Sequence, residues 1–299
     1  MHFRKLQLES NPSDFFISGK PKIAFRIYLV TVDNTSPFTN AINQGVSDMS
    51  KLTGFHYIWE APTQIDVESQ IQILQNAIQN GADAIMLEVI DPVLECGIVE
   101  DAKSLGIKVI YVNTPANEKG IITLATNNYN AGICAGESML EELDARGINN
   151  GMVGIISINK ITPTCAEREK GFHSVMHKDG RFQVLPSNYT EDNIVLANWS
   201  AQSLIALYPN LVGILGISAA TTLGVGRAIQ LSGKSMVGIG FETNKAITSL
   251  INLGYLQAVM LQNPYSMGYL GMAETIAALY HLNTGPEILN TGTNVTTKY

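Results

Sequence analysis

Two continuously apolar runs that flank a helical segment constrain the fold of this chain more than any other feature. They cover residues 211–218 and 236–242, and the apolar residues at 219–234 recur at helical spacing. Neither run can have one face in water, which is typical of parallel strands covered by helices on both sides. A third apolar run at 256–261 ends before Pro264, which forces an extended backbone and stops the strand. The pattern predicts a parallel α/β sheet.

The same alternation of strands and helices continues through the rest of the chain. Predicted strands cover residues 22–28, 55–59, 82–88, 108–114, 121–125, 151–158 and 183–185, and predicted helices cover residues 38–53, 66–80, 93–105, 131–146, 198–207 and 266–280. Ser36 and Pro37 are typical of the N-cap and first turn of a helix. Because strand and helix alternate throughout, the fold class is α/β with parallel sheets.

Composition excludes several classes of function. The chain has 299 residues, enough for one large domain or two of about 130 to 150 residues. A net charge of -7 without clustered Lys or Arg argues against nucleic acid as a partner. Three cysteines without a close pair and five scattered histidines indicate neither a disulfide framework nor a metal site. No run of 18 apolar residues occurs, so nothing in the chain is predicted to span a membrane.

The first 22 residues lack the apolar core that a signal peptide needs. Two interpretations stay open at this point. The chain is cytoplasmic, or an export or anchor segment once preceded it and is not part of this sequence.

Five short segments carry a resemblance to a known family. They are Tyr-Pro-Asn at 208–210, the apolar strand that leads to Ser218, Leu-Gly-Val-Gly-Arg-Ala at 223–228, Gly-Phe-Glu at 240–242 and Leu-Gln-Asn-Pro at 261–264. Because these segments occur in this order and at this spacing, the chain resembles the periplasmic binding proteins of the ribose-binding type. These proteins share their fold with the effector domains of sugar-responsive bacterial repressors. The likeness runs from about residue 22 to the C-terminus.

The resemblance implies two doubly wound parallel-sheet lobes joined by a hinge of three crossings. We therefore expect an N-terminal extension at 1–21, an N-terminal lobe at 22–126 plus 263–288, and a C-terminal lobe at 127–262 plus 289–299. It also favours an extracytoplasmic location, with the export or anchor segment missing from the sequence.

Strand ends predict three ligand-binding residues, because ligands of such sheets lie beyond the carboxyl ends of the strands. These residues are Ser218, Phe241 and Glu242, with the Phe241 ring placed beside a sugar. Gln262 is expected at a crossing between the lobes. The resemblance also implies a ring or a carboxylate in the loop before the helix at 198–207, and counting back from the motif at 208–210 gives Asp192.

The resemblance implies the remaining candidates. An aromatic residue after an Asn/Ser-Pro pair stacks on the sugar in this family, and Phe38 stands there; the alternative is an ordinary core phenylalanine at a helix start. An Arg three residues before Gly-Phe reaches the ligand, which implies Arg168; the alternative is a surface ion pair with Glu167 or Glu169. Asn113 and Thr114 replace the Asp-Arg pair of ribose binders, which argues against ribose itself. Behind these residues we expect two more, Tyr28 and Asn127.

The predicted site contains amides, hydroxyls, rings and one pair of opposite charges, which suits a neutral polyhydroxylated ring. It needs no cofactor and offers no nucleophile beside a base. We predict a binding protein that closes on a monosaccharide, with a pentose favoured and xylose the first choice. Its partner is the permease of an ABC transporter or the outer domain of a membrane histidine kinase. The alternatives are the effector domain of a repressor, which would have to dimerise on its own, and an enzyme, which would need a base.

Overall fold

The computed structural model describes residues 25–160 and 162–298. These residues form two compact units: unit 1 comprises residues 25–125 and 264–291, and unit 2 comprises residues 126–263 and 292–298. Within the described ranges, the chain passes from one unit to the other after Ala125, Asn263 and Thr291. The extension predicted at 1–21 and the start of the first predicted strand lie outside the described residues.

The predicted lobe limits at residues 126, 263 and 288 differ from these passages by one to three residues. The largest difference has a clear cause, since residues 288–290 form a short strand that pairs with residues 123–125. The N–H of Thr291 then donates to the carbonyl oxygen of Ala125 at 3.0 Å. These bonds keep the segment up to Thr291 in unit 1.

Unit 1 is built from alternating strands and helices. In chain order its elements are β1 (Ile27–Val30), α1 (Pro37–Thr53), β2 (Tyr57–Glu60), α2 (Val67–Gln79), β3 (Ala84–Leu87), α3 (Cys96–Ser104), β4 (Lys108–Val112), β5 (Thr123–Ala125), α9 (Pro264–Leu279) and β12 (Ile288–Asn290). Among the described residues they form a six-stranded sheet in the order β12-β5-β4-β3-β1-β2. Its strand pairs are parallel, as the sequence predicts.

Alternation along the strands of unit 1 divides its core between the two faces of the sheet. Ile27 and Leu29 of β1 pack with the helices α1 and α9. Tyr28 and Val30 pack with α2 and α3 on the other face. Both faces are therefore covered, which explains why the strands carry so few polar residues.

Unit 2 repeats this plan. Its elements are α4 (Asn128–Ala145), β6 (Gly151–Ser157), α5 (Pro163–Asp179), β7 (Phe182–Val184), β8 (Asn188–Tyr189), α6 (Ile194–Leu207), β9 (Leu211–Gly216), α7 (Ala219–Ser232), β10 (Val237–Phe241), α8 (Lys245–Asn252), β11 (Ala258–Gln262) and β13 (Thr293–Thr297). The described part of its sheet has the strand order β13-β11-β10-β9-β6-β7, and β8 also pairs with β6. Helices α4 and α5 cover one face, and α6, α7 and α8 cover the other.

Most predicted elements lie within a few residues of their observed bounds, and the N-cap prediction for Ser36 is confirmed, because its Oγ accepts from the N–H of Thr39 at 3.2 Å. Five elements were not predicted, namely the helix α5 and the short elements β8, α8, β12 and β13. The strand β13 runs antiparallel to β11, so the polar tail completes an edge of the sheet. Helix α6 begins at Ile194 because Asn193 caps it, four residues before the predicted start.

Candidate functional site

The carboxyl ends of the strands in unit 2 carry a set of side chains, all polar except one phenylalanine, around one buried arginine. We call this set the arginine cluster; it consists of Asn128, Arg168, Asp192, Ser218, Phe241, Glu242 and Gln262. Six of these seven residues were predicted from the sequence, and Asn128 was not.

Arg168 of α5 is the centre of the cluster and only 5% exposed. Its Nε donates to Asn128 Oδ1 at 2.9 Å, and its Nη1 donates to the carbonyl oxygen of Ile217 at 2.9 Å. Its Nη2 lies 3.5 Å from Glu242 Oε1. Burial lowers the pKa of Arg168 and the Glu242 carboxylate opposes that shift. The surface ion-pair alternative is wrong, since Arg168 pairs with Glu242.

The position of Arg168 depends on close packing between α4 and α5. A Cβ on Gly132 of α4 would collide with the backbone carbonyl of Arg168, and one on Gly171 would collide with that of Tyr129. Glycine at both sites lets the helix backbones approach closely. This approach brings Asn128, in the first turn of α4, within hydrogen-bonding distance of the guanidinium.

Glu242 follows β10 in a left-handed backbone conformation, with φ of 64°. Such a conformation is uncommon for a residue other than glycine and tends to occur at functional sites. Gln262, the last residue of β11, donates from Nε2 to Glu242 Oε1 at 2.8 Å. The carboxylate is therefore held from two sides, by an amide and by the guanidinium.

Phe241 does not occupy the position predicted for it. Its ring is 1% exposed and lies in the core of unit 2. The guanidinium carbon of Arg168 stands 4.4 Å from the ring centroid, a cation–π contact. The Phe241 ring thus packs against the guanidinium of Arg168 and is not an exposed stacking surface.

Ser218 and Asp192 are joined by a hydrogen bond. The Ser218 hydroxyl donates to Asp192 Oδ1 at 2.6 Å, and Ser218 also caps α7 in a capping box with Thr221. Asp192 has a φ of 54°, in a turn just before α6. Although the position of Asp192 was inferred only by counting, the structure places its carboxylate beside a predicted strand end.

Asn127 and Asn128 stand side by side at the start of α4, and only Asn127 was predicted to be a site residue. Asn127 is exposed and caps α4, accepting from the N–H of Asn130 at 2.9 Å. Asn128, one residue later, bonds to Arg168. A run of two asparagines before a helix does not show which one caps it.

Unit 1 has a corresponding set of polar side chains, again at the carboxyl ends of its strands. We call it the glutamate cluster; it consists of Thr31, Trp59, Gln70, Glu88, Asn113 and Thr114. Only Asn113 and Thr114 were predicted to be site residues.

Glu88 follows β3 and is the acid of the glutamate cluster; it is 2% exposed. Its Oε1 accepts from Asn113 Nδ2 at 2.9 Å. Burial raises the pKa of Glu88 to about 7, although hydrogen bonds from Asn113 and the Val32 N–H oppose the shift. Asn113 follows β4 with a φ of 68°, which asparagine tolerates better than most residues.

Thr114 and Trp59 complete the edge of this sheet. The carbonyl oxygen of Thr114 accepts from the N–H of Val89 at 3.0 Å. The indole Nε1 of Trp59 donates to Thr31 Oγ1 at 2.9 Å. Trp59 and Glu88 end predicted strands, so the strand-end argument would have found both if it had been applied to every strand.

Phe38 and Tyr28 differ in position. Phe38 is half-buried in the first turn of α1, against the core that α1 shares with α9. Tyr28 is 3% exposed in the middle of β1. Because β1 continues to Val30, Tyr28 does not reach the carboxyl end of the strand, and the structure places it in the core instead of the site.

The described residues contain no group of three or more His, Cys, Asp or Glu side chains able to hold a metal ion. In the same part of the chain, no helix has both the length and the apolar character needed to span a membrane.

Comparison with known proteins identifies the family of this chain. The family model described as "Periplasmic binding protein domain" matches residues 27–281. The chain is 25% identical to the ribose import binding protein RbsB of Bacillus subtilis, over 85% of this chain and 81% of that protein. It is 22% identical to the xylose/arabinose-binding protein XylF of Sulfolobus acidocaldarius, over 91% of this chain and 72% of that protein.

A solved structure shows the same fold. The arabinose-binding protein AraP of Geobacillus stearothermophilus superimposes with a TM-score of 0.85 at 24% identity, covering 92% of this chain and 97% of that one. These relatives are binding proteins and not enzymes, and the family implies an extracytoplasmic location. The predicted fold class, two doubly wound lobes joined by three crossings, is confirmed. The chain belongs to the periplasmic binding protein family, as a member of its ribose-binding type.

Proposed function

We propose that this protein binds a neutral monosaccharide. The observation that carries the proposal is the ion pair between Arg168 and Glu242 in the arginine cluster. The cation of the cluster is already paired, so an anionic ligand would meet no uncompensated positive charge there. A neutral ligand can instead use the hydrogen-bonding groups that the pair leaves over.

Those groups can be counted. A guanidinium has five N–H groups, and three of those on Arg168 have partners among the described residues. Each terminal nitrogen keeps one further N–H for a ligand oxygen. Glu242 Oε1 receives Gln262, so its Oε2 is left to accept a ligand hydroxyl. Donors beside an acceptor match a sugar, whose hydroxyls both donate and accept.

We propose a pentose as the ligand, with xylose as the first choice. Glu242 carries one methylene more than the aspartate that family members commonly have after Gly-Phe, and it therefore fills more of the site. Two relatives are named for pentoses, a ribose import binding protein and a xylose/arabinose-binding protein. Asn113 and Thr114 are the neutral residues that distinguish this chain from ribose binders.

Thermal unfolding tests the proposal directly. A ligand that binds only the folded protein raises the melting temperature by mass action. We expect D-xylose at about 1 mM to raise it more than hexoses, and a charged sugar acid to have no effect. A panel of pentoses and hexoses that leaves the melting temperature unchanged would exclude the proposed function.

The proposed mechanism is closure of the two lobes on the sugar, with the closed form recognised by a membrane partner. Small-angle X-ray scattering tests closure, since the radius of gyration should fall when sugar is added. The described crossings after Ala125, Asn263 and Thr291 are the segments in which the backbone would rotate.

The partner is proposed to be an ABC transporter permease, since relatives are named import binding proteins. A sensor histidine kinase is the alternative partner. Uptake and transcription assays in a strain that lacks the protein distinguish the two partners. Loss of labelled xylose uptake indicates the permease, whereas normal uptake with loss of xylose-dependent transcription indicates the kinase. An export or anchor segment upstream of this sequence is proposed with either partner.

A further inference from the structure

The contact between Glu88 and Asn113 fixes the orientation of an amide. Asn113 Nδ2 donates to Glu88 Oε1 at 2.9 Å. An ionised carboxylate only accepts hydrogen bonds, so it can bind only the NH2 end of the amide. The opposite end of the amide, the Oδ1 of Asn113, is therefore turned away from Glu88.

The backbone around both residues is held firmly. The N–H of Glu88 donates to the carbonyl oxygen of Val30 at 2.9 Å, and its own carbonyl accepts from Gln70 Nε2 at 2.9 Å. Gln70 is fully buried; its amide also donates to the carbonyl of Thr31 and accepts from the N–H of Ile90. The N–H of Asn113 donates to the carbonyl of Leu124 at 2.8 Å. Only the side chains of the pair are left to rearrange.

We propose that Glu88 is a positioning residue that decides which end of the Asn113 amide meets the ligand, and that protonation of Glu88 reverses the amide. The inference deepens the proposed function and rests on it, because it takes Asn113 to contact the sugar. With Glu88 ionised, Asn113 presents its carbonyl oxygen as an acceptor. With Glu88 protonated, the carboxyl donates to Asn113 Oδ1 and the NH2 group turns outward.

The surroundings of Glu88 place this change near neutral pH. Burial is the main cause of the raised pKa, of about 7, and the charge of Asp33, between β1 and α1, adds to it. Asp33 itself stays ionised: burial acts to raise its pKa, but N–H groups of Ser36 and Thr35 and the hydroxyl of Thr39 hold it low. The other groups acting on Glu88 are neutral, namely Asn113 after β4 and the Val32 N–H after β1.

The sign of the effect follows from the hydroxyl group of a sugar, which has one hydrogen to donate. At high pH a ligand hydroxyl donates that hydrogen to Asn113 Oδ1. At low pH the same hydroxyl faces an N–H group, so it must rotate and accept, and its hydrogen no longer has Asn113 Oδ1 as a partner. We expect affinity to fall as the pH drops through about 7, by up to the strength of one hydrogen bond, or about fivefold.

Calorimetric titration with D-xylose at about pH 6 and about pH 8 tests the proposal. The wild-type protein should bind about fivefold more weakly at the lower pH. Glu88→Gln removes the titrating group, and Asn113→Gly removes the amide while keeping a residue that tolerates positive φ. Both variants should change by less than about twofold between the two pH values. A Glu88→Gln protein with the wild-type pH dependence would overturn the proposal.

A second measurement needs no ligand. The side-chain NH2 resonances of Asn113, identified by their absence in Asn113→Gly, should shift in the free wild-type protein with a midpoint near pH 7. Resonances that stay constant over this range contradict the proposal even where Glu88→Gln fails to fold. If no monosaccharide binds at any pH, the proposed function fails, and the NMR titration still decides whether Glu88 controls the amide.

Discussion

The arginine cluster of unit 2 and the glutamate cluster of unit 1 each hold a glutamate in place, but with different partners. Both lie at the carboxyl ends of parallel strands, and in each a residue with positive φ follows a strand, Glu242 in unit 2 and Asn113 in unit 1. Each contains a carboxylate. Glu242 is paired with Arg168 and bonded to Gln262. Glu88 is buried, and none of the hydrogen-bond partners described for it is a cation. Burial raises its pKa to about 7.

The difference shows that the partner of a carboxylate decides its role more than its place in the fold does. A carboxylate that is paired with a cation, as Glu242 is with Arg168, is held in place as a hydrogen-bond acceptor. A carboxylate that is desolvated without compensation is poised to change its protonation near neutral pH. The following predictions test this contrast.

The largest effect is expected for Arg168→Ala, which removes the cation from the compensated cluster. We expect a loss of about 1 to 3 kcal/mol of unfolding free energy, less than for a fully buried ion pair, because the Glu242 side chain is 28% exposed. Sugar affinity should also fall by more than about tenfold. Urea unfolding and calorimetric titration measure the two losses.

Arg181→Ala is the matched control, because Arg181 pairs with Asp179 and Asp144 at a more exposed position of the same unit. Ion pairs of this kind contribute about 0 to 1 kcal/mol. Equal losses in the two variants would show that the buried position of Arg168 has no special importance.

The next effect concerns Glu88→Gln, which removes the uncompensated charge. The pKa of Glu88 is raised from 4.5 to about 7, so the folded protein binds more protons than the unfolded chain between these values. Wild-type stability therefore falls as the pH rises through this window. We expect Glu88→Gln to be more stable than wild type by about 1 to 3 kcal/mol at pH 8 and similar to it at pH 5. Urea unfolding at the two pH values checks this.

Glu242→Gln should have the opposite sign. Neutralising Glu242 leaves Arg168 without its counter-ion, so the variant should be less stable than wild type at pH 8. Sugar affinity should fall by about 1 to 3 kcal/mol, since an amide cannot accept on both atoms. If Glu242→Gln and Glu88→Gln shift stability in the same direction, the contrast between the clusters is wrong.

The smallest effect is expected for Glu242→Asp, which keeps the charge and shortens the side chain by one methylene. If that methylene adapts the site to a pentose, the variant should bind hexoses better relative to pentoses, by up to about tenfold. A competition series with D-xylose and D-glucose measures the ranking. An unchanged ranking would leave the pentose proposal without support from Glu242.

The strand-end argument recovered much of the candidate site because it needs only local information. A strand such as 236–242 and a cap such as Ser36 are visible in a few neighbouring residues, and parallel strands bring their carboxyl ends to the same edge. Ser218 and Glu242 follow from this rule without knowledge of the packing, and Gln262 follows from the predicted crossing between the lobes. Their role in ligand binding stays a prediction.

The rule was incomplete where side-chain direction matters. Phe241 is the last residue of β10 and enters the core, whereas Glu242 follows the strand in a left-handed conformation and bonds to Arg168 and Gln262. Both faces of the unit 1 sheet are covered by helices, so Tyr28, in the middle of β1, is buried as well. The sequence shows that these residues are close to a strand end, but not which way each side chain points.

The sequence by itself determined the α/β class, most of the elements and the family, since all three depend on periodicity and on short motifs. Only the tertiary structure decided the pairings within each cluster. Asn113 and Glu88 are 25 residues apart, and Arg168 and Glu242 are 74 apart. Such contacts arise from how helices pack on a sheet, as when Gly132 and Gly171 let α4 and α5 approach. No local sequence pattern specifies these long-range contacts, and the protonation of Glu88 depends on them.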